Sequence, residues 1–109
     1  MKRFAVELTA SAERDLEALF DYVAATRSPA EAHALLDRLI ERVATLETFP
    51  DRGAIPAELD AIGISDFRQL LVVPYRVIYR VVGRKVFILV IADGRRDMQE
   101  LLERRLLAE

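Results

Sequence analysis

The side chains able to do chemistry in this chain are arginines, and they gather in one stretch. Between positions 66 and 96 there are seven basic residues (Arg68, Arg76, Arg80, Arg84, Lys85, Arg95 and Arg96) and two acidic ones, Asp66 and Asp93. That is a local balance of +5 in a chain of net charge −2, so the remainder stands at −7. Guanidinium groups hold phosphates and carboxylates through paired, planar hydrogen bonds, so a basic sheet on an acidic protein points to an anionic partner. Arg68, Arg76, Arg80, Arg95 and Arg96 are the candidate target-binding residues, expected on one concave face. The alternative is that they solvate an open sheet and pair with carboxylates such as Glu58, Asp66 or Asp93, each pair contributing little.

Other constellations are excluded one by one. His33 is the single histidine and there is no cysteine, so neither a His-based nor a thiolate metal site can be assembled. Ser11, Ser28 and Ser65 fall at helix starts or in a loop, which argues against a serine triad. Glu13 and Glu17 stand one helical turn apart, a spacing that usually marks a solvated surface. Gly94 is a lone glycine and no phosphate-binding loop. No catalytic residue and no cofactor is expected. A pI near 5.5 argues against broad nucleic-acid affinity and leaves only local contacts.

The elements that must position the arginines follow from the hydrophobic pattern. At 109 residues and 52% hydrophobic composition the chain fits one domain, 1–109, with ample core material. Met1-Lys2-Arg3 resembles the basic start of a signal peptide, but Glu7 interrupts any apolar run behind it. The longest apolar run, Val86 to Ala92, is far short of the roughly 20 residues a membrane helix needs, so a cytoplasmic, non-membrane protein is expected. Phe4 to Leu8 alternates as a strand. Thr9 can cap a helix carrying Leu16, Leu19, Phe20 and Val23 and ending near Ala25. Ser28-Pro29-Ala30-Glu31 is a capping box with proline at the first helical position. The helix it opens has the stripe Ala32, Leu35, Leu36, Leu39, Ile40, Val43 and Leu46. A link this short makes the two helices an antiparallel hairpin.

Phe49-Pro50-Asp51-Arg52-Gly53 ends the second helix, and an irregular loop is expected to about Ser65. Three strands follow: Asp66 to Val73, Tyr75 to Val82, and Lys85 to Ala92 after a Gly83-Arg84 turn. Strict alternation puts Arg76, Ile78 and Arg80 on one face and Val77, Tyr79 and Val81 on the other. Val86 to Ala92 has no polar alternation, as suits a strand covered on both faces. Asp97-Met98-Gln99-Glu100 can open a last helix with Leu101, Leu102 and Leu106 on one side. The fold expected is α+β, an antiparallel-dominated sheet in the order β-α-α-β-β-β-α with the hairpin on one face. Leu36, Leu39, Ile40 and Val43 should pack on Val77, Tyr79, Ile88 and Val90. Leu70 and Ile78, beside Arg76, should offer an apolar surface to a binding partner.

The element order, Phe49-Pro50-x-x-Gly53, Phe67-Arg68, Tyr75-Arg76-Val77-Ile78-Tyr79-Arg80 and Gly94-Arg95-Arg96-Asp97 together resemble the RelE/ParE toxin superfamily over nearly the whole chain. The resemblance implies the toxic half of a bacterial type II toxin–antitoxin module. It also implies a hetero-oligomer with a cognate antitoxin, ParD-like with a ribbon-helix-helix start, whose C-terminal segment wraps the toxin. Two activities exist in that superfamily. The RelE branch cleaves mRNA on the ribosome with arginines, lysines and often a late tyrosine; the ParE branch inhibits DNA gyrase. Arg68, Arg76 and Arg96 fall where the RelE branch places basic residues. Leu70 stands where a second basic residue would be expected, and Leu101-Leu102 supply no late tyrosine. The resemblance therefore favours a ParE-like gyrase inhibitor over a ribosome-dependent mRNA endonuclease, with a degenerate toxin that only binds its antitoxin, or a plain structural module, as the third reading.

Overall fold

The computed structural model describes residues 3–107, so Met1 and Lys2 of the basic start lie outside that range. Strand β1 (Ala5–Leu8) leads into helices α1 (Ala10–Thr26) and α2 (Pro29–Ala44), the latter prolonged by a 3₁₀ turn at Thr45–Glu47. The short helix α3 (Ala57–Asp60) precedes strands β2 (Arg68–Val72), β3 (Tyr75–Val82) and β4 (Lys85–Asp93). Helix α4 (Met98–Leu102) then runs into a π-helical turn, Glu103–Leu107. The sheet order is β1-β4-β3-β2, with β1 parallel to β4 and the other neighbours antiparallel. The α+β fold and the element order expected from the sequence are those observed; α3 is an addition inside the stretch expected to be irregular. Among the described residues no helix is long and apolar enough to cross a membrane.

The caps sit where the sequence puts them. Thr9 accepts from the Ala12 amide, and its own amide and hydroxyl both donate to the Ile88 carbonyl, pinning the start of α1 to β4. Ser28 accepts from the Glu31 amide at 3.0 Å, and Asp97 from the Glu100 amide at 3.1 Å. Each cap satisfies an amide that the first helical turn leaves without a partner.

Two cores lie on opposite faces of the sheet. The hairpin of α1 and α2 covers one face, where Leu35, Leu39 and Leu46 meet Val77, Tyr79, Val86, Ile88 and Ile91. On the other, Leu59 of α3 and Met98, Leu101 and Leu102 of α4 meet Phe67, Ile78, Val90 and Ala92. The Leu101-Leu102 pair is thus spent on docking the last helix. Burial on both faces is why β4 reads as one apolar run.

Three packing expectations need correction. Leu36 is only partly buried and lies outside the sheet core, beside Leu16, Phe20 and His33. Ile40 is 57% exposed and lies outside the core, because α2 turns Leu35 and Leu39, one turn apart, toward the sheet. Val90 packs under α4 and not under the hairpin. The cause is a β-bulge: Ile78 pairs with Val90 and Tyr79 with Ile88, so Leu89 has no opposite number. One extra residue inverts the alternation of β4, sending Val86 and Ile88 to the hairpin face but Val90 and Ala92 to the other.

The loop after α2 wraps a buried phenol. The Tyr79 hydroxyl donates to the Pro50 carbonyl at 2.7 Å and accepts from the Gly53 amide at 3.0 Å. A Cβ at Gly53 would stand 2.5 Å from the Gln69 carbonyl oxygen and 2.7 Å from that hydroxyl, so only glycine fits. Burial pushes the Tyr79 phenol above its ordinary value. The Phe49-Pro50-x-x-Gly53 spacing is the local shape of this seat.

Candidate interaction site

The five arginines do not gather on one concave face. Arg76 and Arg80 share the α4 face, as alternation requires. Arg68 pairs in register with Tyr79 and so lies on the hairpin face. There its guanidinium donates to the Asp51 and Gly53 carbonyls at 3.2 and 2.8 Å and braces the loop around Tyr79. Arg80 is exposed and lies over the Phe67 ring, 5.7 Å from its centre.

Arg76 is closed off. Its side chain is 12% exposed and makes two parallel 2.8 Å bonds to the Glu58 carboxylate, with Nε donating to Gln69 Oε1 at 2.7 Å. The guanidinium, by hydrogen bonding, holds the Glu58 carboxyl below the usual carboxylate range. A Cβ at Gly94 would stand 2.9 Å from Cδ of Arg76, so the glycine lets the turn after β4 close over this side chain. Leu70 and Ile78 are buried on opposite faces of the sheet, so the exposed apolar surface expected around them is absent. Their neighbours Leu71 and Val73 are the exposed ones.

Arg95 and Arg96 instead border a groove of about 590 Å³ between α1 and the C-terminal end of β4. Tyr22 of α1 and Arg27, just past its end, line one wall, and Tyr75, Asp93, Arg95 and Arg96 the other. Tyr22 is 66% exposed, while Tyr75 is half-buried against the hairpin core. Arg95 donates to both oxygens of Asp93, with Nε at 2.9 Å from Oδ1 and Nη2 bonded to Oδ2. Arg27 makes only a loose 3.8 Å pair with Glu31. Arg96 is exposed and acts on Asp93 through its charge. Two tyrosines with Arg27 and Arg96, neither held by a carboxylate at hydrogen-bond distance among the described residues, suit an acidic protein segment with an apolar or aromatic anchor. Among the described residues no three histidine, aspartate or glutamate side chains are placed to hold a metal.

Arg95 has a measurable consequence for acid stability. Its hydrogen bonds lower the Asp93 carboxyl from 3.8 to about 2. A carboxyl depressed in the folded state adds stability that is full above its unfolded value and lost as pH falls through the folded one. The Asp93 contribution should therefore disappear between about pH 4 and pH 2, and Asp93→Asn should flatten that window. Carboxyl chemical shifts followed by NMR against pH measure it; an Asp93 midpoint near 3.8 would show the contact with Arg95 to be absent in solution.

Sequence reasoning missed Tyr22 and Arg27, which come to Arg95 from about 70 residues away, and Asp15, which lines the same groove. An aromatic residue set beside the apolar stripe of α1, Tyr22 between Phe20 and Val23, was the only local signal. Glu58 was foreseen as one of several pairing acids, but its bidentate hold on Arg76 was not.

The family model of the ParE toxin of type II toxin–antitoxin systems (parDE) matches residues 6–98. Among solved structures, the chromosomal ParDE toxin–antitoxin system from P. aeruginosa is similar at 26% identity and a TM-score of 0.70, over 84% of this chain and 96% of that one. The toxin–antitoxin complex RelBE2 from Mycobacterium tuberculosis is similar at 23% identity and a TM-score of 0.59, over 85% of this chain and 93% of that one. The second likeness is one of fold alone. No curated protein matches the chain.

Proposed function

The chain belongs to the ParE toxin family of type II toxin–antitoxin systems, and on that footing we propose that it is a gyrase-directed toxin neutralised by a ParD-like antitoxin. It acts as one domain in the cytoplasm and is held there as a hetero-oligomer with that antitoxin, which carries a ribbon-helix-helix segment. The observation that carries the choice of target is the closed state of Arg76. A ribosome-dependent nuclease needs cations free to meet a phosphate, yet Arg76 already holds a carboxylate through both terminal guanidinium nitrogens. Arg68 lies on the opposite face and Arg96 at the end of the sheet, so the three do not converge on one phosphodiester. This arrangement suits protein-to-protein recognition.

The Tyr22–Arg96 groove is the proposed contact for gyrase. The antitoxin contact first expected at Leu70 and Ile78 moves to Leu71 and Val73, exposed at the outer edge of the sheet, where an extended segment can add a strand. Purified chain should inhibit DNA supercoiling by gyrase and leave mRNA in a translating extract uncut. Tyr22→Ala with Arg96→Ala should weaken inhibition by roughly tenfold or more while the fold persists, as expected for exposed aromatic and arginine anchors. Codon-specific cleavage of ribosome-bound mRNA would replace this reading with the nuclease. Full inhibition by the double variant would move the contact elsewhere.

A further inference from the structure

Strand β1 covers β4 only from Lys85 to Ile88. At Thr9 the chain turns away into α1, so beyond Ile88 no strand among the described residues lies beside the outer edge of β4. The bulge at Leu89 falls at this point and turns polar backbone groups outward, where they need partners. Two side chains supply them. The Leu89 carbonyl accepts from Arg105 Nη2 at 2.9 Å, and the Ile91 amide donates to Asp15 Oδ2 at 3.0 Å. Asp15 and Arg105 also bond each other twice, at 3.0 Å and 3.0 Å, both 19% exposed. Asp15 comes from the middle of α1 and Arg105 from the π-helical turn at the C-terminus. Together they take the place of a missing strand.

The bulge they hold decides which way the end of β4 faces. With Leu89 looped out, Ile91 points into the hairpin core, and Asp93, two residues on, points to the same side, into the groove beside Tyr22. Without it, the alternation set by Val86 and Ile88 would bring Val90 and Ala92 to the hairpin and swing Asp93 to the α4 face. The turn in which Arg95 bonds Asp93 through both its amide and its guanidinium would be lost with that reversal. We infer that Asp15 and Arg105 are positioning residues: by clasping the β4 bulge they aim Asp93, Arg95 and Arg96 into the groove, and so link the seating of the C-terminal segment to what the groove binds. The inference rests on the reading of that groove as the contact surface. It adds that a residue outside the groove, on a segment whose apolar side is already docked on the sheet, sets the groove's shape.

The test uses the full chain as Asp15→Asn and Arg105→Gln, with Arg104→Gln as the control, because Arg104 is exposed and, among the described residues, pairs only with Glu100 one turn away. Amide exchange at Ile91 should speed up by roughly tenfold or more in both variants and stay unchanged in the control. The Asp93 carboxyl midpoint should rise from about 2 toward 3.8 as Arg95 loses its place. Gyrase inhibition should weaken several-fold in proteins whose circular dichroism shows them folded. Should Arg105→Gln fail to fold, Arg105→Lys keeps the charge and one bond and should show the same changes at smaller amplitude. Unchanged Ile91 exchange would overturn the clasp. Faster exchange with an unmoved Asp93 midpoint would reduce the pair to a structural brace and overturn its positioning role. Those two measurements need no gyrase, so a wild-type chain that does not inhibit gyrase would overturn the proposed function and leave the clasp to be decided on its own.

Discussion

Leu39→Ala should lower stability by about 2–5 kcal/mol, the range for truncating a fully buried leucine that leaves a cavity behind. Leu39 is 2% exposed and sits in the core between α2 and the sheet. Its neighbour Ile40 carries the same number of carbons and belonged to the same expected stripe, yet it is 57% exposed. Ile40→Ala should therefore cost well under about 1 kcal/mol, as surface substitutions usually do. Urea unfolding of the two variants separates burial from hydrophobicity, because composition changes almost equally in both. Equal losses for Leu39→Ala and Ile40→Ala would mean that α2 is rotated about its axis relative to the packing described here. The comparison also bears on the hairpin as a platform, since α1 carries Tyr22, leads into Arg27 and is held in place by α2.

Arg76→Ala should cost about 2–4 kcal/mol, an expectation opposite to the one an exposed arginine would raise. Removing the guanidinium leaves Glu58, itself only 24% exposed, and Gln69 without the donors that satisfy them. Hydrogen bonds to charged groups are worth roughly 1.5–3 kcal/mol, and stranding one member of a partly buried pair costs more than the pair contributes. The stem of Arg76 also packs under Gly94, so its loss opens space beneath the turn that leads to Arg95 and Arg96. Arg96→Ala should leave the melting midpoint in place, since its side chain is exposed. Thermal unfolding of the two variants, side by side with gyrase inhibition, sorts the arginines. Arg76 should move stability and Arg96 should move activity. If Arg76→Ala melts with the unchanged chain, the Glu58 contact is a surface pair and Arg76 is available to a target. A double variant with Glu58→Gln should recover part of the loss, because the carboxylate left behind is then no longer charged.

The elements were legible because their causes are local. Ser28, Pro29 and Glu31 define the start of α2 within four residues, and Thr9 and Asp97 cap α1 and α4 as their types predict. Apolar periodicity placed the hairpin, and the uninterrupted run in β4 announced a strand covered on both sides, which α4 and the hairpin together accomplish. The face of each β3 residue was equally readable, since alternation holds from Tyr75 to Val81. In β4 it was not. Nothing in Val86-Phe87-Ile88-Leu89-Val90-Ile91-Ala92 marks where an extra residue will loop out, because every position is apolar and either register would bury it.

What the sequence determined by itself is the α+β framework, the order of its elements and the concentration of arginine in the sheet. Tertiary structure alone decided the state of each arginine. Arg76 is neutralised by Glu58, 18 residues earlier, and Arg105 is fixed by Asp15 across 90 residues. Arg95 takes Asp93, two residues back, but faces the groove only because of the bulge. A helix or a strand follows from backbone preferences and from which side chains avoid water, and both are written over a few neighbouring residues. The availability of a charge depends on which carboxylate the finished fold brings within about 3 Å, and on how much water remains around the pair. Local composition counts charges. Only the assembled sheet, with β4 running out past the end of β1, settles which of them remain free to meet a partner.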